Sequence, residues 1–337
     1  MPDLMNLTTL LFWPLMACIA IGLLHAYAGL HVLRRGVIFV DLALAQMAAL
    51  GAVVGLYFGG HAEHEHLEHD HPPAAVAPSN SGPRDELDSA IQQTGRVAPI
   101  IVQEEHERGG KSLFDLWPTG FALGGALLLA FTRSLNNRVP HEAIIGIVYV
   151  VAAAVTVLLL SKLAHGHEQT EQMLTGKLLF VDSAEVLATA GLYAVLGILH
   201  LVFYRRFLAI STDPEGAERR GLNVRLWDFL FYAIFALMVT RSVAIGGVLV
   251  VFSYLIIPGA CAGLLVHGFK ARIVVAWIVA ILVSFAGMAI SAVRDLPSGT
   301  TVVATFGAVL VLCMLLGKLV RRSPLGDDAA IPSSEGD

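Results

Sequence analysis

Histidine is concentrated in one polar stretch of this sequence, where it alternates with acidic residues. The stretch contains His61, His64, His66, His69 and His71, interleaved with Glu63, Glu65, Glu68 and Asp70. Neutral imidazole is the commonest metal ligand in proteins, and nitrogen together with carboxylate donors suits Zn²⁺ first, with Ni²⁺ and Cu²⁺ as competitors. Because the spacing is irregular, we expect weak, exchangeable metal binding and no closed tetrahedral site. The alternative is a polar loop that only solubilises.

A second candidate ligand is a carboxylate inside an apolar segment. Asp41 lies about five residues into the hydrophobic stretch that begins near residue 36. A carboxylate there is unfavourable against lipid, so it should face a cavity or a partner side chain. The sequence leaves two readings open, a metal ligand or an ion pair with Arg34 or Arg35. Three other acids open apolar segments, and we interpret them as helix-start charges favoured by the helix macrodipole: Asp182, Glu185 and Asp228.

No nucleotide-binding or hydrolytic motif accompanies these residues. The stretch 109–112, Gly-Gly-Lys-Ser, imitates the end of a P-loop, but Glu105 stands where the first glycine is required. The pair His141-Glu142 is followed by Ile145 at the position where a zinc protease has its second histidine. The sequence therefore predicts a chain without its own ATPase motif and without an enzyme activity.

Long apolar segments must position these groups. The chain is 56% hydrophobic and only 15% charged, with a mean hydropathy of +0.70. The apolar residues form blocks of roughly twenty, the length that crosses a bilayer core of ~30 Å as a helix. Nine blocks can be marked, at about 7–30, 36–59, 114–132, 141–163, 183–204, 226–242, 245–266, 271–292 and 300–319. The pattern predicts an all-α, polytopic transmembrane helical bundle of about nine spans, in which Arg241 and Ser242 barely separate the sixth and seventh.

Basic residues predict the orientation of the spans. Fourteen of the 22 fall in alternate loops and at the C-terminal end: Arg34, Arg35, Arg133, Arg138, Arg205, Arg206, Arg219, Arg220, Arg225, Lys270, Arg272, Lys318, Arg321 and Arg322. Short loops of the other side hold only Lys162, Lys177, Arg241 and Arg294. The positive-inside rule makes the first set cytoplasmic and the N-terminus external. With no basic stripe, the expected surroundings are membrane lipid and not nucleic acid.

The polar segments complete the predicted organisation. Residues 1–60 hold two spans, 61–112 form an extracytoplasmic, His-rich and largely disordered insert, 113–322 hold the other spans, and 323–337 form a cytoplasmic tail. The same orientation places His106, His165 and His167 outside with the five clustered histidines, which makes eight of the chain's 13. The cytoplasmic loop at 205–224 contains a short polar helix, flanked by arginines and ended by Gly221, that suits docking of another protein.

Four segments in order resemble the permease subunits of the ABC metal-uptake family, the zinc and manganese importers. The loop has that family's Asp, Glu and Ala ahead of a Gly. The stretch 246–262 resembles its Gly-x-Leu-Leu-Val … Leu-Ile-x-Pro-Ala-Ala-x-Ala span. Residues 295–299 match its Asp-x-Pro-x-Gly turn, and 32–41 resemble its Leu-Arg-Arg … Gly-Asp segment. In the loop, the matching residues are Asp213, Glu215, Ala217 and Gly221.

The resemblance implies the function and the partners. It implies a homodimeric permease of a bacterial cytoplasmic (inner) membrane, driven by two cytoplasmic ATPase subunits that contact the four loop residues. It also implies an extracytoplasmic metal-binding protein, a divalent metal as substrate and no intrinsic cofactor. Asp41 is carried over as a metal ligand, but Ala45 stands where the family commonly has His, and Val40 replaces a Gly. The histidine stretch makes zinc the leading substrate.

Three other classes remain open from the sequence. A gradient-driven secondary metal transporter would need more buried ionisable groups than Asp41. An intramembrane metal enzyme lacks the zinc-protease spacing. A sensor would bind metal without moving it.

Overall fold

The structure is a computed structural model that describes residues 4–67, 116–132, 139–162 and 173–322. Over these ranges it is helical and contains no β-strand, which confirms the predicted all-α bundle. Its main helices are α1 (Leu4–Arg35), α2 (Val40–Leu67), α3 (Leu116–Thr132), α4 (His141–Leu160), α5 (Ser183–Val202), α6 (Tyr204–Thr212), α7 (Pro214–Arg219), α8 (Val224–Leu265), α9 (Phe269–Arg294) and α10 (Ser298–Arg322).

Seven of these helices are long and apolar enough to cross a bilayer: α1, α2, α4, α5, α8, α9 and α10. Helix α3 is also apolar but has only 17 residues. Helix α8 has 42 residues, about twice the ~20 that one crossing needs. The predicted count of nine is therefore approximate, and it depends on how α8 and α3 are counted.

Helix α8 is two helices that run in opposite directions. Its first half is antiparallel to α1, because Asp228 pairs with Arg35 and Ser242 contacts His25. Its second half is parallel to α1, because Leu255 packs on Gly29 and Gly259 packs on Leu33. The chain reverses at Gly247, whose φ of 74° is open to glycine at little cost. The predicted sixth and seventh spans are thus present, but their boundary lies at Gly247, and Arg241 and Ser242 belong to a helix.

Helix α1 lies at the centre of the bundle. It packs against α5, α9 and both halves of α8. Small residues permit the close approach: a Cβ on Gly29 would come within 1.8 Å of the Leu255 carbonyl oxygen. Close packing of this kind is how membrane helices associate where lipid and side chains are equally apolar.

The bundle has two distinct ends. The end that contains Arg35, Asp228, α6 and α7 is called the arginine end here. The opposite end contains Gly247, which approaches Gly176, and Gly299, which approaches Thr175. It is called the far end.

Several predicted features lie partly or wholly beyond the described ranges. Helix α2 continues to Leu67, so the backbone at His61, His64 and His66 is helical. The rest of the predicted insert, from residue 68 through 112, lies outside the described residues together with His69 and His71. The predicted tail at 323–337 also lies outside them.

Candidate functional site

Asp41 is buried in the helix bundle and forms no ion pair with any residue that the structure describes. Only 1% of the residue is exposed, and its Oδ1 atom has no hydrogen-bond partner among the described residues. Arg35, which the sequence left as a possible partner, instead donates from Nη1 to Asp228 Oδ1 at 2.8 Å. A buried carboxylate oxygen without a partner is unfavourable unless another group completes it. Asp41 therefore remains a candidate ligand.

The surroundings of Asp41 do not form a closed metal site. Ala45 lies one helical turn further along α2 and is also buried, with 1% exposed, but it offers no donor atom. Within the described ranges, no three His, Cys, Asp or Glu residues are grouped so that they could hold a metal ion. What the protein provides here is a single carboxylate, which suits passage of an ion better than its storage.

One face of α5 carries polar groups into the bundle. Glu185, Thr189, Tyr193 and His200 are spaced by four, four and seven residues, so they share a face, and all are buried. Near the far end, Arg241 Nε donates to Thr189 Oγ1 at 2.9 Å, and Arg241 Nη2 lies 3.6 Å from Glu185 Oε1. Glu185 is therefore half of a largely buried ion pair between α5 and α8, in addition to its predicted place in the first turn of α5.

The polar face continues at Tyr193. Its hydroxyl hydrogen-bonds to Ser242 Oγ. Ser242 Oγ lies 3.2 Å from His25 Nε2, and His25 Nδ1 donates to the Ile21 carbonyl at 2.9 Å. These contacts link polar side chains of α1, α5 and α8 inside the bundle.

A second polar cluster fills the arginine end. The Arg35–Asp228 pair is buried, with side-chain exposures of 3% and 0%. Arg35 Nε also donates to Ser211 Oγ at 2.9 Å, and its guanidinium carbon stacks 3.8 Å from the Phe231 ring centre. One arginine therefore ties α1 to α6 and to the first half of α8.

Two histidines lie beside this cluster. His31 on α1 and His200 on α5 are 0% and 3% exposed. Each ring contacts the rings of Tyr27 and Phe231. Neither Nε2 atom has a hydrogen-bond partner among the described residues. These histidines and His25 were not singled out from the sequence, although an ionisable residue within an apolar segment is a usable signal of function.

The docking loop forms the helix that its sequence predicts. Asp213 caps α7 by accepting from the Gly216 amide at 2.9 Å. At the other end, Gly221 has a φ of 81°, and the Leu222 amide donates to the Ala217 carbonyl, a glycine-ended helix stop. Glu215 and Gly221 are exposed, whereas Ala217 is fully buried against its neighbours. The helix therefore presents its acidic side chain to the surroundings at the arginine end.

Comparisons with known proteins all indicate a membrane transport protein. The model of the ABC 3 transport family matches residues 119–317, which is more than half of the chain. The manganese transport system membrane protein MntC of Halalkalibacterium halodurans is 26% identical over 179 residues, which are 53% of this chain and 61% of that protein. A probable metal transport system membrane protein of Thermotoga maritima is 32% identical over 227 residues, covering 62% of this chain and 80% of that protein.

A solved structure shares the fold. A chain of PsaBC from Streptococcus pneumoniae in complex with Fab superposes with a TM-score of 0.65 at 18% identity, over 92% of this chain and 95% of that chain. At this identity the likeness concerns the fold alone.

Proposed function

Because the chain belongs to the ABC 3 transport family, we propose that it is the membrane permease subunit of an ABC importer, and that its cargo is Zn²⁺. The family membership confirms the resemblance to ABC metal-uptake permeases that four sequence segments predicted. The chain is a multi-pass membrane protein of this family; its cargo, partners and orientation are the proposal.

The observation that carries the proposal is Asp41, a buried carboxylate whose Oδ1 atom has no hydrogen-bond partner among the described residues. It lies on α2, which packs against α3, α4 and α8. A structural acid at this depth would be paired, as Asp228 is with Arg35. A group that must receive and release a cation is better left open, because conduction needs binding that is weak enough to reverse. Asp41 would replace part of the hydration shell of the ion as it crosses the bundle.

The energy would come from separate ATPase subunits at the arginine end. Helix α7 projects Glu215 there, and Arg35 connects the neighbouring α6 to α1 and α8 through Ser211 and Asp228. A movement of α7 imposed by an ATPase would therefore reach the helices beside Asp41. In this proposal the arginine end would be cytoplasmic and the N-terminus would lie outside, in a bacterial cytoplasmic membrane. Two copies of the permease would form the pathway.

Delivery would take place at the far end. An extracytoplasmic metal-binding protein would dock there, on the side to which α2 carries its histidines. The backbone of α2 is helical through His61, His64 and His66. A histidine and glutamate tract on this side would raise the local concentration of metal. It would do so without being an obligatory part of the path.

The donor atoms favour zinc over manganese. Imidazole nitrogen suits Zn²⁺, whereas carboxylate, carbonyl and water oxygen suit Mn²⁺. Two buried histidines, His31 and His200, each have an Nε2 atom without a hydrogen-bond partner among the described residues. The relative from Halalkalibacterium halodurans is named as a manganese transport protein, so Mn²⁺ is the cargo against which zinc must be tested.

The test is metal accumulation in cells that express this chain with a candidate ATPase and binding protein. The matched control replaces the P-loop lysine of the ATPase, which removes hydrolysis but keeps the protein. Zn²⁺, Mn²⁺, Fe²⁺ and Ni²⁺ are supplied separately and the cell content is measured by mass spectrometry. We expect zinc uptake that disappears in the control. Uptake of manganese alone would overturn the cargo, and uptake that ignores the ATPase would indicate a gradient-driven secondary transporter.

A further inference from the structure

His31 and His200 have the features of a prepared metal site that the passage through Asp41 does not use. Both are more than nine-tenths buried, and their Nε2 atoms have no hydrogen-bond partner among the described residues. The two imidazoles contact the same two aromatic rings, Tyr27 and Phe231. A buried polar atom without a partner requires an explanation in any structure.

The hydrogen bonds of both rings assign the proton to Nδ1. His200 Nδ1 lies 3.3 Å from the Leu196 carbonyl oxygen, which can only accept. His31 Nδ1 lies 3.5 Å from Ser211 Oγ. That hydroxyl already donates to the Phe207 carbonyl at 2.7 Å, so it is left to accept from His31. Both Nε2 atoms therefore carry a free lone pair.

This pattern is the one that metal-binding histidines show. A ligating imidazole donates its other N–H to a carbonyl, carboxylate or similar acceptor, which fixes the tautomer and the orientation of the ring. His25 provides the contrast within the same bundle, because its Nδ1 donates to Ile21 and its Nε2 contacts Ser242. Of the three buried histidines in α1 and α5, only His31 and His200 have an Nε2 atom with no polar partner among the described residues.

We propose that His31 and His200 hold the transported divalent metal through their two Nε2 atoms, in an exit site at the arginine end of the bundle. The inference rests on the proposed function in taking the metal to be the cargo. Two protein ligands leave room for water, and the positive charge of nearby Arg35 weakens the binding, although Asp228 pairs with it. Both features suit an ion that must leave.

Metal binding at the exit site would also affect the docking loop at 205–224. His31 donates to the same Ser211 hydroxyl that accepts from Arg35 Nε, and Ser211 belongs to α6, one residue from the end of that helix. A metal bound to His31 Nε2 polarises the ring and strengthens the donation from Nδ1 to Ser211. Occupancy of the exit site would thus be felt by the helix that precedes α7.

The test measures zinc binding by the purified full-length chain in detergent, without ATPase or ion gradient. The parent protein has alanine in place of the eight histidines at 61, 64, 66, 69, 71, 106, 165 and 167, which leaves only His25, His31, His141, His200 and His267. Equilibrium dialysis against Zn²⁺ gives the affinity. We expect His31→Gln and His200→Gln each to weaken binding tenfold or more, because each removes one of two imidazole ligands. His25→Gln is the matched control, with affinity unchanged.

A second measurement covers the case in which a glutamine variant does not fold. Zinc-edge X-ray absorption on the parent protein counts imidazole ligands without any change at residues 31 and 200, and we expect two. Fewer than two imidazoles, or equal affinities in His31→Gln, His200→Gln and the parent, would overturn the exit site. Since no transport is measured, a failure of ATPase-dependent uptake would count against the proposed function and leave this result standing.

Discussion

At the scale of single residues, the interior of the protein contains two kinds of buried acid. Asp228 is fully buried and paired with Arg35, and together they join three helices. Such a pair need not add stability relative to apolar residues of the same volume, but removal of one partner leaves an uncompensated charge. Asp41 is equally buried and has an oxygen with no partner among the described residues. The first acid is therefore expected to matter for folding and the second for transport.

Asp228→Asn is expected to lower the free energy of unfolding by about 3–5 kcal/mol, because it leaves the charge of Arg35 buried and uncompensated. The measurement is unfolding of the purified protein in detergent. The matched control is Arg34→Met, which removes the neighbouring, exposed arginine and should change stability by less than about 1 kcal/mol. A double replacement, Arg35→Met with Asp228→Leu, should recover part of the loss. Equal stability of Asp228→Asn and the unchanged protein would contradict the structural role.

Asp41→Asn is expected to show the opposite behaviour. Asparagine has the same shape and no charge, so the stability should stay within about 1 kcal/mol of the original. Metal uptake should fall tenfold or more, because the cation loses the buried carboxylate that is proposed to receive it. Uptake and unfolding are measured on the same preparations, with Asp228→Asn as the comparison. Normal uptake by a stable Asp41→Asn protein would remove Asp41 from the path.

At the scale of elements, the reversal inside α8 depends on one glycine. Gly247 has a φ of 74°, and a Cβ there would lie 2.5 Å from both the Gly176 amide nitrogen and the Leu174 carbonyl oxygen. Gly247→Ala should therefore destabilise the protein by at least about 2 kcal/mol, through a left-handed backbone and a close contact with the segment before α5. Gly263→Ala in the same element meets nothing within 4 Å and should be neutral or stabilising. Thermal unfolding in detergent compares them, and similar midpoints would argue against the tight reversal.

Helix α7 is the element through which an ATPase would act. Glu215→Ala should reduce ATPase-dependent uptake strongly, because it removes the exposed acid of the docking surface. Gly221→Ala should do so by straining the left-handed helix stop. Glu218→Ala removes a second exposed acid of the same helix and should have little effect. Metal binding by the clustered histidines should be unchanged in all three variants.

Normal uptake by Glu215→Ala and Gly221→Ala would show that the ATPase docks elsewhere. Uptake and ATPase activity of the assembled complex should fall together in these variants. A fall in uptake alone would place the defect in the permease.

The elements were largely predictable because their signals are local. The apolar blocks that predict spans, and the cap residues that predict α7, can each be read from a short run of consecutive residues. The sequence placed the boundary between the sixth and seventh spans a few residues before Gly247, because hydropathy reports composition and not the direction of the chain. The roles of His31, His200 and Arg35 depend on partners about 170 to 190 residues away, and no spacing rule connects such positions. The sequence alone was enough to recognise that Ala45 departs from the family pattern. It could not predict which side chains lie near Asp41 instead of the family's histidine.

At the scale of the whole molecule, charge divides the bundle into two unlike ends. The arginine end has Arg34, Arg35 and the arginines of α6 and α7. The far end has Lys162, Lys177, Arg241 and Arg294, of which Lys177 and Arg241 lie near Glu185. Lysine and arginine are retained on the cytoplasmic side of membrane proteins. The asymmetry therefore supports the proposed orientation, in which an ATPase would have access to α7.

Cysteine labelling in intact cells tests this orientation. The three native cysteines, Cys18, Cys261 and Cys313, are all buried, so they should react little with a membrane-impermeant maleimide. Thr300→Cys places a thiol on an exposed position at the far end, and Glu218→Cys places one on α7. We expect Thr300→Cys to be labelled in intact cells and Glu218→Cys only after the cells are permeabilised. The reverse pattern would place α7 outside, where no ATP-driven subunit could reach it, and the importer mechanism would fail with the orientation.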